Sequence, residues 1–189
     1  MNQDPFKEYI RESEPNKREK GYAWQTAIGL QAVDGLKTSK YLINTAIRNI
    51  EGDISIDEAN SLLNSYYEEN PKQDPGDRTE EADKVSVRIV KVLSETGFSF
   101  TPNEYISIHK KLFTGIYRHA GKIRDYNITK KEWVLDGETV LYGNASELRD
   151  TLEYDFSEER SFSYKGLSIN EIIHHLAVFV SRLWQIHIF

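Results

Sequence analysis

Apolar side chains recur at the three-to-four-residue spacing of an α-helix over most of the chain. This spacing predicts helices at about residues 16–33, 38–50, 55–67, 79–95 and 101–116. Gly35, Gly52 and Gly97 follow three of these segments, and glycine commonly ends a helix because it adopts positive φ without strain.

Two later segments show the same spacing. Asn144 or Ser146 is placed to cap the first of them. Ser168 and Glu171 form a capping box before the second, because the hydroxyl and the carboxylate can each accept a bond from a backbone N–H that lacks a helical partner. The residues after this box are apolar on nearly every face, so we expect a central, buried helix there.

One stretch, residues 127–142, has the pattern of a β-hairpin. The β-favouring runs 133–135 and 139–142 flank Asp136-Gly137, a dipeptide that suits the tight turn between two strands. No other clear strand pair is visible in the sequence. We therefore predict a mainly α fold, a helical bundle with one β-hairpin.

A polar, proline-containing segment, residues 70–77, separates the third and fourth predicted helices. It reads NPKQDPGD and contains two of the five prolines of the chain. This composition is typical of a linker. We therefore expect an N-terminal helical region over residues 1–75 and a second region over residues 76–189.

Composition narrows the classes of function. The 189 residues carry a formal net charge of −6 and include no cysteine. The acidic balance disfavours nucleic-acid binding, which usually needs a basic face. The lack of cysteine excludes disulfides, zinc ribbons and thiol nucleophiles, and it fits a reducing cytoplasm. The start of the chain is polar, and no apolar run approaches the roughly 20 residues of a membrane span. We therefore expect a cytoplasmic protein with no membrane partner.

Residue spacing alone identifies no catalytic or metal site. His174 and His175 are adjacent, so on a helix they point about 100° apart and cannot bind one metal ion in the usual i, i+4 arrangement. The sequence contains no phosphate-binding glycine loop, no nucleophile elbow and no zinc-protease motif. We therefore predict no metal-ligating residues.

Four features of the chain resemble the Fic family. Residues 108–117 (IHKKLFTGIY) and 120–130 (AGKIRDYNITK) are similar to the Fic pattern hxxLFxxhYxxAGxhRxxNI(S/T)K, where h is hydrophobic. The predicted hairpin follows directly, where Fic proteins have a flap. The final apolar segment leads into residues 187–189 (HIF), where the motif His-x-Phe-x-(Asp/Glu)-Gly-Asn-x-Arg begins. Residues 49–52 (NIEG) are similar to the end of the inhibitory helix of self-restrained Fic proteins.

The resemblance implies a Fic-type helical bundle that transfers AMP from ATP, with Mg²⁺, to a hydroxyl side chain of a target protein. Residues 76–189 would be the Fic core, incomplete at its C-terminal end, and residues 1–75 would include the inhibitory helix. His187 would be the general base that accepts the hydroxyl proton, and Phe189 would anchor the catalytic loop in the core.

The resemblance also assigns binding and inhibitory residues. Glu51 would inhibit by pairing with an arginine that otherwise binds the ATP phosphates. The nucleotide would lie beside Tyr117, Glu147 and Leu148. The target would add a strand to the flap, at the flap residues Lys130, Trp133, Val134 and Leu135.

The chain departs from the family pattern in three places. Ile188 stands where the family usually has proline, and Ile47 stands where the inhibitory motif has Ser or Thr. The metal-binding acid and the phosphate-binding arginines of the motif would follow Phe189. We therefore expect the chain to be cut in mid-structure and to transfer no AMP at a useful rate. The alternative is an apolar C-terminus that docks in a groove.

Other functions stay open at this point. The chain can be a non-catalytic interaction module, or a truncated remnant that binds a partner through the flap. A helical DNA-binding regulator is disfavoured by the charge of −6. Fic proteins that transfer phosphate or phosphocholine are also known. The target protein and the oligomeric state are not predicted.

Overall fold

The computed structural model describes residues 5–11, 14–71, 74, 76–131 and 136–189. These residues form seven α-helices and one two-stranded antiparallel sheet. In chain order the elements are α1 (Pro15–Val33), α2 (Lys40–Glu51), α3 (Ile56–Glu69), α4 (Thr79–Ser94), α5 (Pro102–Phe113), β1 (Thr129–Lys131), β2 (Thr139–Leu141), α6 (Leu148–Ser161) and α7 (Ile169–Ile186). The predicted fold class, mainly α with one hairpin, is confirmed.

The helices begin with the capping residues that the sequence indicated. Ser55 and Ser168 each accept a bond from the backbone N–H three residues on, and Glu58 and Glu171 complete both capping boxes. Helix α5 ends at Phe113, earlier than the predicted 116. Asn144 caps a short 3-10 turn, and α6 begins only after it.

The chain divides into two compact units, Met1–Gly97 and Phe98–Phe189. Helix α4 therefore belongs to the N-terminal unit, although the linker composition put it in the second region. The physical reason is packing, since α4 contacts both α1 and α3.

The core of the N-terminal unit surrounds one tryptophan. Trp24 of α1 is fully buried, and its indole N–H donates to Asn49 Oδ1 at 3.0 Å. Asn49 Nδ2 in turn donates to the carbonyl of Ile54, so the end of α2 is attached to both α1 and the next loop. The other buried apolar side chains of this core are Phe6, Ala27, Leu42, Ala46, Ile50, Ile54, Ala59, Leu63, Val87 and Val90.

A buried carboxylate attaches α4 to the rest of this unit. Asp83 is fully buried and accepts bonds from the backbone N–H of Ser39 at 2.9 Å, from the Ser39 hydroxyl, and from the Tyr67 hydroxyl at 2.7 Å. Burial raises the pKa of Asp83, and these hydrogen bonds oppose that rise. One side chain therefore joins α4 to the start of α2 and to α3.

The core of the C-terminal unit lies between α6 and the end of α7. Its buried members are Leu148, Leu152, Phe156, Phe179, Ile186 and Ile188. The prediction that the last helix is buried on all sides is wrong for this unit. Within α7 only Phe179 and Ile186 are buried, because α6 covers a single face and the other apolar side chains stay exposed.

The hairpin pairs β1 with β2 in the register Thr129↔Leu141, Lys130↔Val140 and Lys131↔Thr139. Each strand has three residues. Strand β2 lies within the predicted run 139–142, whereas β1 lies before the predicted run 133–135, which is outside the described residues. At the turn, Asp136 and Gly137 both have positive φ, at 53° and 84°. Asp136 and Gly137 therefore lie in a turn between the strands, as predicted, within residues 132–138 that connect β1 to β2.

Candidate functional site

His187 lies at the C-terminal end of α7, in the left-handed region with φ 45° and ψ 65°. A non-glycine residue in this conformation is uncommon and needs support from its surroundings. The residues on both sides of it, Ile186 and Ile188, are buried in the core of the C-terminal unit. The chain therefore turns at His187, and the ring of this residue is left partly open to solvent.

Arg124 stabilises this turn by donating hydrogen bonds to the backbone carbonyls of the turn. Arg124 is only 6% exposed. Arg124 Nε donates to the carbonyl of His187 at 2.7 Å, and Nη2 donates to the carbonyl of Ile186 at 3.0 Å. The backbone N–H of Arg124 also donates to the carbonyl of Ile188 at 3.0 Å. A helix C-terminus has carbonyls without helical partners, and here one guanidinium bonds two carbonyls at this end, those of Ile186 and His187.

The same guanidinium binds the base of the hairpin. Arg124 Nη1 donates to the carbonyl of Tyr126 at 2.7 Å, before β1, and Nη2 donates to the carbonyl of Gly143, after β2. Asn127 Oδ1 accepts from the backbone N–H of Ala145 at 2.8 Å and closes the same end. The hairpin and the end of α7 are therefore attached to one another through Arg124.

Gly143 lies where its segment approaches α7 closely. A Cβ at this position would lie 3.1 Å from Leu148 Cδ2 and 3.3 Å from Ile186 Cα, so a larger residue needs its neighbours to give by a few tenths of an ångström. The preceding residue, Tyr142, reaches the site. Tyr142 contacts the His187 ring, with the centroids 4.7 Å apart.

The electrostatic surroundings favour a neutral imidazole at His187. Partial burial of the ring, followed by the positive charges of Arg124 and Lys130, lowers the pKa of His187 below its usual range. A general base must be unprotonated before it can accept a proton. His187 therefore has the protonation state of a base near neutral pH.

A second histidine contacts the residue at position 189. The rings of His109 and Phe189 stack face to face, with centroids 3.7 Å apart and planes 3° apart. His109 Nδ1 accepts a bond from the backbone N–H of Gly121 at 2.9 Å, so a neutral ring has its proton on Nε2. Burial, together with His119, lowers the pKa of His109 to about 4. Phe189, which was predicted to anchor the loop in the core, thus stacks on the ring of His109.

The predicted nucleotide-binding residues have different surroundings. Tyr117 is half-buried in the turn after α5, and its ring stacks on His119 with centroids 5.3 Å apart. Glu147 is exposed at the end of the 3-10 turn. Leu148 is 1% exposed within the core of the C-terminal unit, so it packs and does not line an open surface.

The predicted flap residues are described only in part. Lys130 is exposed on β1, and its charge reaches the ring of His187. Trp133, Val134 and Leu135 lie outside the described residues.

Glu51, the predicted inhibitory residue, ends α2 as expected. Its carboxylate accepts bonds from the hydroxyl of Tyr9 and from Nζ of Lys17, both at 2.7 Å. The bonds from Lys17 and Tyr9 lower the pKa of Glu51. In the N-terminal unit this carboxylate is therefore ionised at neutral pH and is already bound to two partners.

The described residues contain no group of three or more His, Asp or Glu side chains that could hold a metal ion. We assign no step to the Mg²⁺ that the resemblance implies. In the described part of the chain, no helix is both long and apolar enough to cross a membrane.

Sequence reasoning missed the roles of Arg124 and His109. Both lie in the segments that carry the Fic resemblance, but neither position showed that its side chain would bond to backbone. The available signal for Arg124 was a charged residue among the apolar positions of residues 120–128. An arginine that is buried there needs several hydrogen-bond acceptors.

No known protein family, curated protein or solved structure matches this chain. The Fic resemblance therefore depends on the segments quoted above.

Proposed function

We propose that the chain carries the catalytic base of a Fic-type protein adenylyltransferase, and that this base is His187. The observation that carries the proposal is the combination at the end of α7. His187 has an imidazole with a lowered pKa that contacts the Tyr142 ring, and its backbone carbonyl is bonded to Arg124, which also bonds the base of an exposed hairpin. General-base catalysis needs both a neutral acceptor and a fixed position.

In the proposed reaction a target hydroxyl attacks the α-phosphorus of ATP. The new bond joins the hydroxyl oxygen to phosphorus, the bond to the bridging oxygen breaks, and pyrophosphate leaves. His187 accepts the hydroxyl proton. Lys130 and the outer edges of β1 and β2 would hold the target as an added strand, since these strands are almost wholly exposed. Use of ATP and the absence of cysteine fit a cytoplasmic location.

The test measures transfer of labelled AMP from ATP with Mg²⁺. It compares the 189-residue chain with an extended chain that includes the whole Fic motif. We expect the extended chain to label itself or a lysate protein, the shorter chain to give no useful rate, and His187→Ala to abolish the label. His174→Ala is the matched control, because His174 is exposed on the same helix and the proposal gives it no role. Labelling that survives His187→Ala would contradict the proposal.

We also propose that Glu51 inhibits this activity when its carboxylate leaves Tyr9 and Lys17 and pairs with a phosphate-binding cation. Two variants of the extended chain should then change self-labelling in opposite directions. Glu51→Gly removes the inhibitor and should raise the label. Lys17→Ala weakens the local bonds of Glu51 and should lower it. Equal labelling in both variants would refute inhibition by Glu51.

One observation favours a non-catalytic alternative. Five of the six strand residues of the hairpin are exposed, so the flap could bind a partner strand without any chemistry. In that case a captured target would bind equally well to the wild-type chain and to His187→Ala, and no labelled product would form in either.

A further inference from the structure

Helix α7 carries a second apolar face that α6 does not cover. The five side chains of this face are each between 42% and 67% exposed. We call them the α7 stripe: Ile169, Ile173, Leu176, Val180 and Trp184. Isolated exposed apolar residues are normal, but a continuous row of this kind marks an interaction surface.

The spacing of the stripe is that of a helix–helix seam. Its members follow one another at intervals of three or four residues, as the contact positions of a coiled coil do. The buried residues Phe179 and Ile186 lie on a different face, about 100° of rotation away. Within the stripe, Trp184 contacts the Tyr142 ring edge-on, with centroids 6.3 Å apart. The stripe otherwise has room for a second helix while the first apolar face holds α7 in its own core.

We propose that the stripe pairs with the stripe of a second copy of this chain, with the two helices antiparallel across a two-fold axis. In this register Ile169 lies opposite the partner's Trp184, and Ile173 lies opposite the partner's Val180. Leu176 lies opposite the partner's Ala177. All three pairs share one midpoint, between Leu176 and Ala177, so the sequence of the stripe is self-complementary when one helix is reversed. An isologous interface requires this property.

The charges of α7 are compatible with this pairing. Its two Asp, Glu, Lys or Arg residues, Glu171 and Arg182, lie on the side away from the stripe. Glu171 caps its own helix through Ser168, and Arg182 faces Asp155 of α6 at 3.8 Å. The residues that flank the stripe on its solvent side, Asn170 and Ser181, are neutral. The pairing therefore buries no like charges against one another.

The area of the stripe suits a dimer. An aromatic residue such as Trp184 presents on the order of 150–250 Å² and the four aliphatic residues somewhat less, so at 42–67% exposure the five amount to roughly 500 Å² per copy. A standard stable interface needs about 800 Å² per partner. The stripe supplies more than half of this as a continuous apolar centre, and the flanking neutral residues extend it. This argument is independent of any adenylyltransferase activity.

The register can be tested directly because the chain has no cysteine. Ile173→Cys and Val180→Cys chains are purified separately and then mixed under a mild oxidant. Residues 173 and 180 lie about 10 Å apart along a helix axis, which is beyond disulfide reach for either residue with its own copy. We expect the mixture to form a cross-linked dimer and each variant alone to form none.

A second measurement gives the oligomeric state without cross-linking. Light scattering after size exclusion should show a dimer for the wild-type chain and for Val178→Lys, which places a charge on the opposite face of α7. Val180→Lys should be monomeric. If Val180→Lys fails to fold, the cross-linking result decides.

Several outcomes would overturn the proposal. A wild-type chain that is monomeric at every concentration would do so, and so would a mixture that does not cross-link. Efficient cross-linking between two Ile173→Cys chains would mean that the two helices are parallel and not antiparallel. A cross-link within one chain, from a cysteine on the stripe to one on the N-terminal unit, would show that this chain covers its own stripe.

Discussion

Arg124 joins the end of α7 to the base of the hairpin through the carbonyls of residues on both. Arg124→Ala would leave these buried carbonyls without a donor, so we expect a loss of roughly 2–4 kcal/mol in the free energy of unfolding. Arg124→Lys should recover only part of this loss, because an ammonium cannot reproduce the planar fork of donors.

Urea unfolding measures both Arg124 variants against Arg149→Ala. Arg149 is exposed and pairs with Glu153 one helical turn away, so its removal should change stability by no more than about 0.5 kcal/mol. Equal effects at residues 124 and 149 would mean that the guanidinium of Arg124 does not hold the site.

The charge of Lys130 can be tested through the pKa of His187. Lys130 and Arg124 both help to lower this pKa, so Lys130→Gln should raise it toward the usual value for histidine. The neutral base would then be lost at a higher pH as the solution is acidified, and any acidic limb of a pH–rate profile would move up with it. Titration of the His187 ring by NMR measures the shift without an activity assay.

Lys131→Gln is the matched control for this titration. Lys131 is the next residue of β1, and successive side chains of a strand point to opposite faces. The pKa of His187 should stay at its wild-type value in this variant. If both variants shift the pKa of His187 equally, the shift depends on the net charge of the protein and not on the position of Lys130.

At the scale of elements, the turn after α5 contains two glycines, and only one of them lies against the helix. Gly121 and Gly115 both have positive φ, at 69° and 78°. A Cβ at Gly121 would lie 2.5 Å from Lys110 Cβ, whereas a Cβ at Gly115 would meet nothing within 4 Å. Contacts of 2.5 Å require the backbone to move.

Gly115→Ala should therefore cost only the strain of a left-handed alanine, about 1–2 kcal/mol. Gly121→Ala should cost about 1–3 kcal/mol more, because the turn must also move away from α5. Gly121→Ala should in addition disturb the hydrogen bond from the Gly121 N–H to His109. A change in the NMR chemical shifts of the His109 ring would detect this. Equal losses of stability would show that the turn adjusts without cost.

At the scale of the whole molecule, each of the two compact units has its own hydrophobic core. Asp83→Ala removes the acceptor that serves Ser39 and Tyr67 in the N-terminal unit. We expect it to destabilise that unit by roughly 2–4 kcal/mol, because buried donors are left unpaired.

Amide hydrogen exchange distinguishes local from global consequences of Asp83→Ala. Protection should fall throughout Met1–Gly97 and stay at the wild-type level in Phe98–Phe189. Asp57→Ala is the control, since Asp57 is exposed and forms a surface ion pair with Lys91, between α3 and α4. An equal fall of protection in both units would show that they unfold as one.

The local features of this chain were predictable from its sequence. The capping boxes at Ser55 and Ser168 and the Asp-Gly turn of the hairpin are set by residues within a few positions of one another, so neighbours in sequence contain the whole signal. For the same reason the sequence determined the order and type of the elements, and with them the fold class.

Only the tertiary structure decided which faces of these elements are covered and which partners the polar side chains find. The apolar pattern of α7 was visible, but α6 covers one face of it and leaves the α7 stripe exposed. Glu51 ends its helix as predicted, whereas its bonds to Tyr9 and Lys17 join residues far apart in sequence. Arg124 likewise meets residues of the hairpin and of α7. Such contacts depend on how distant segments pack, and hydrophobic burial is non-directional, so the spacing of residues along the chain does not specify them.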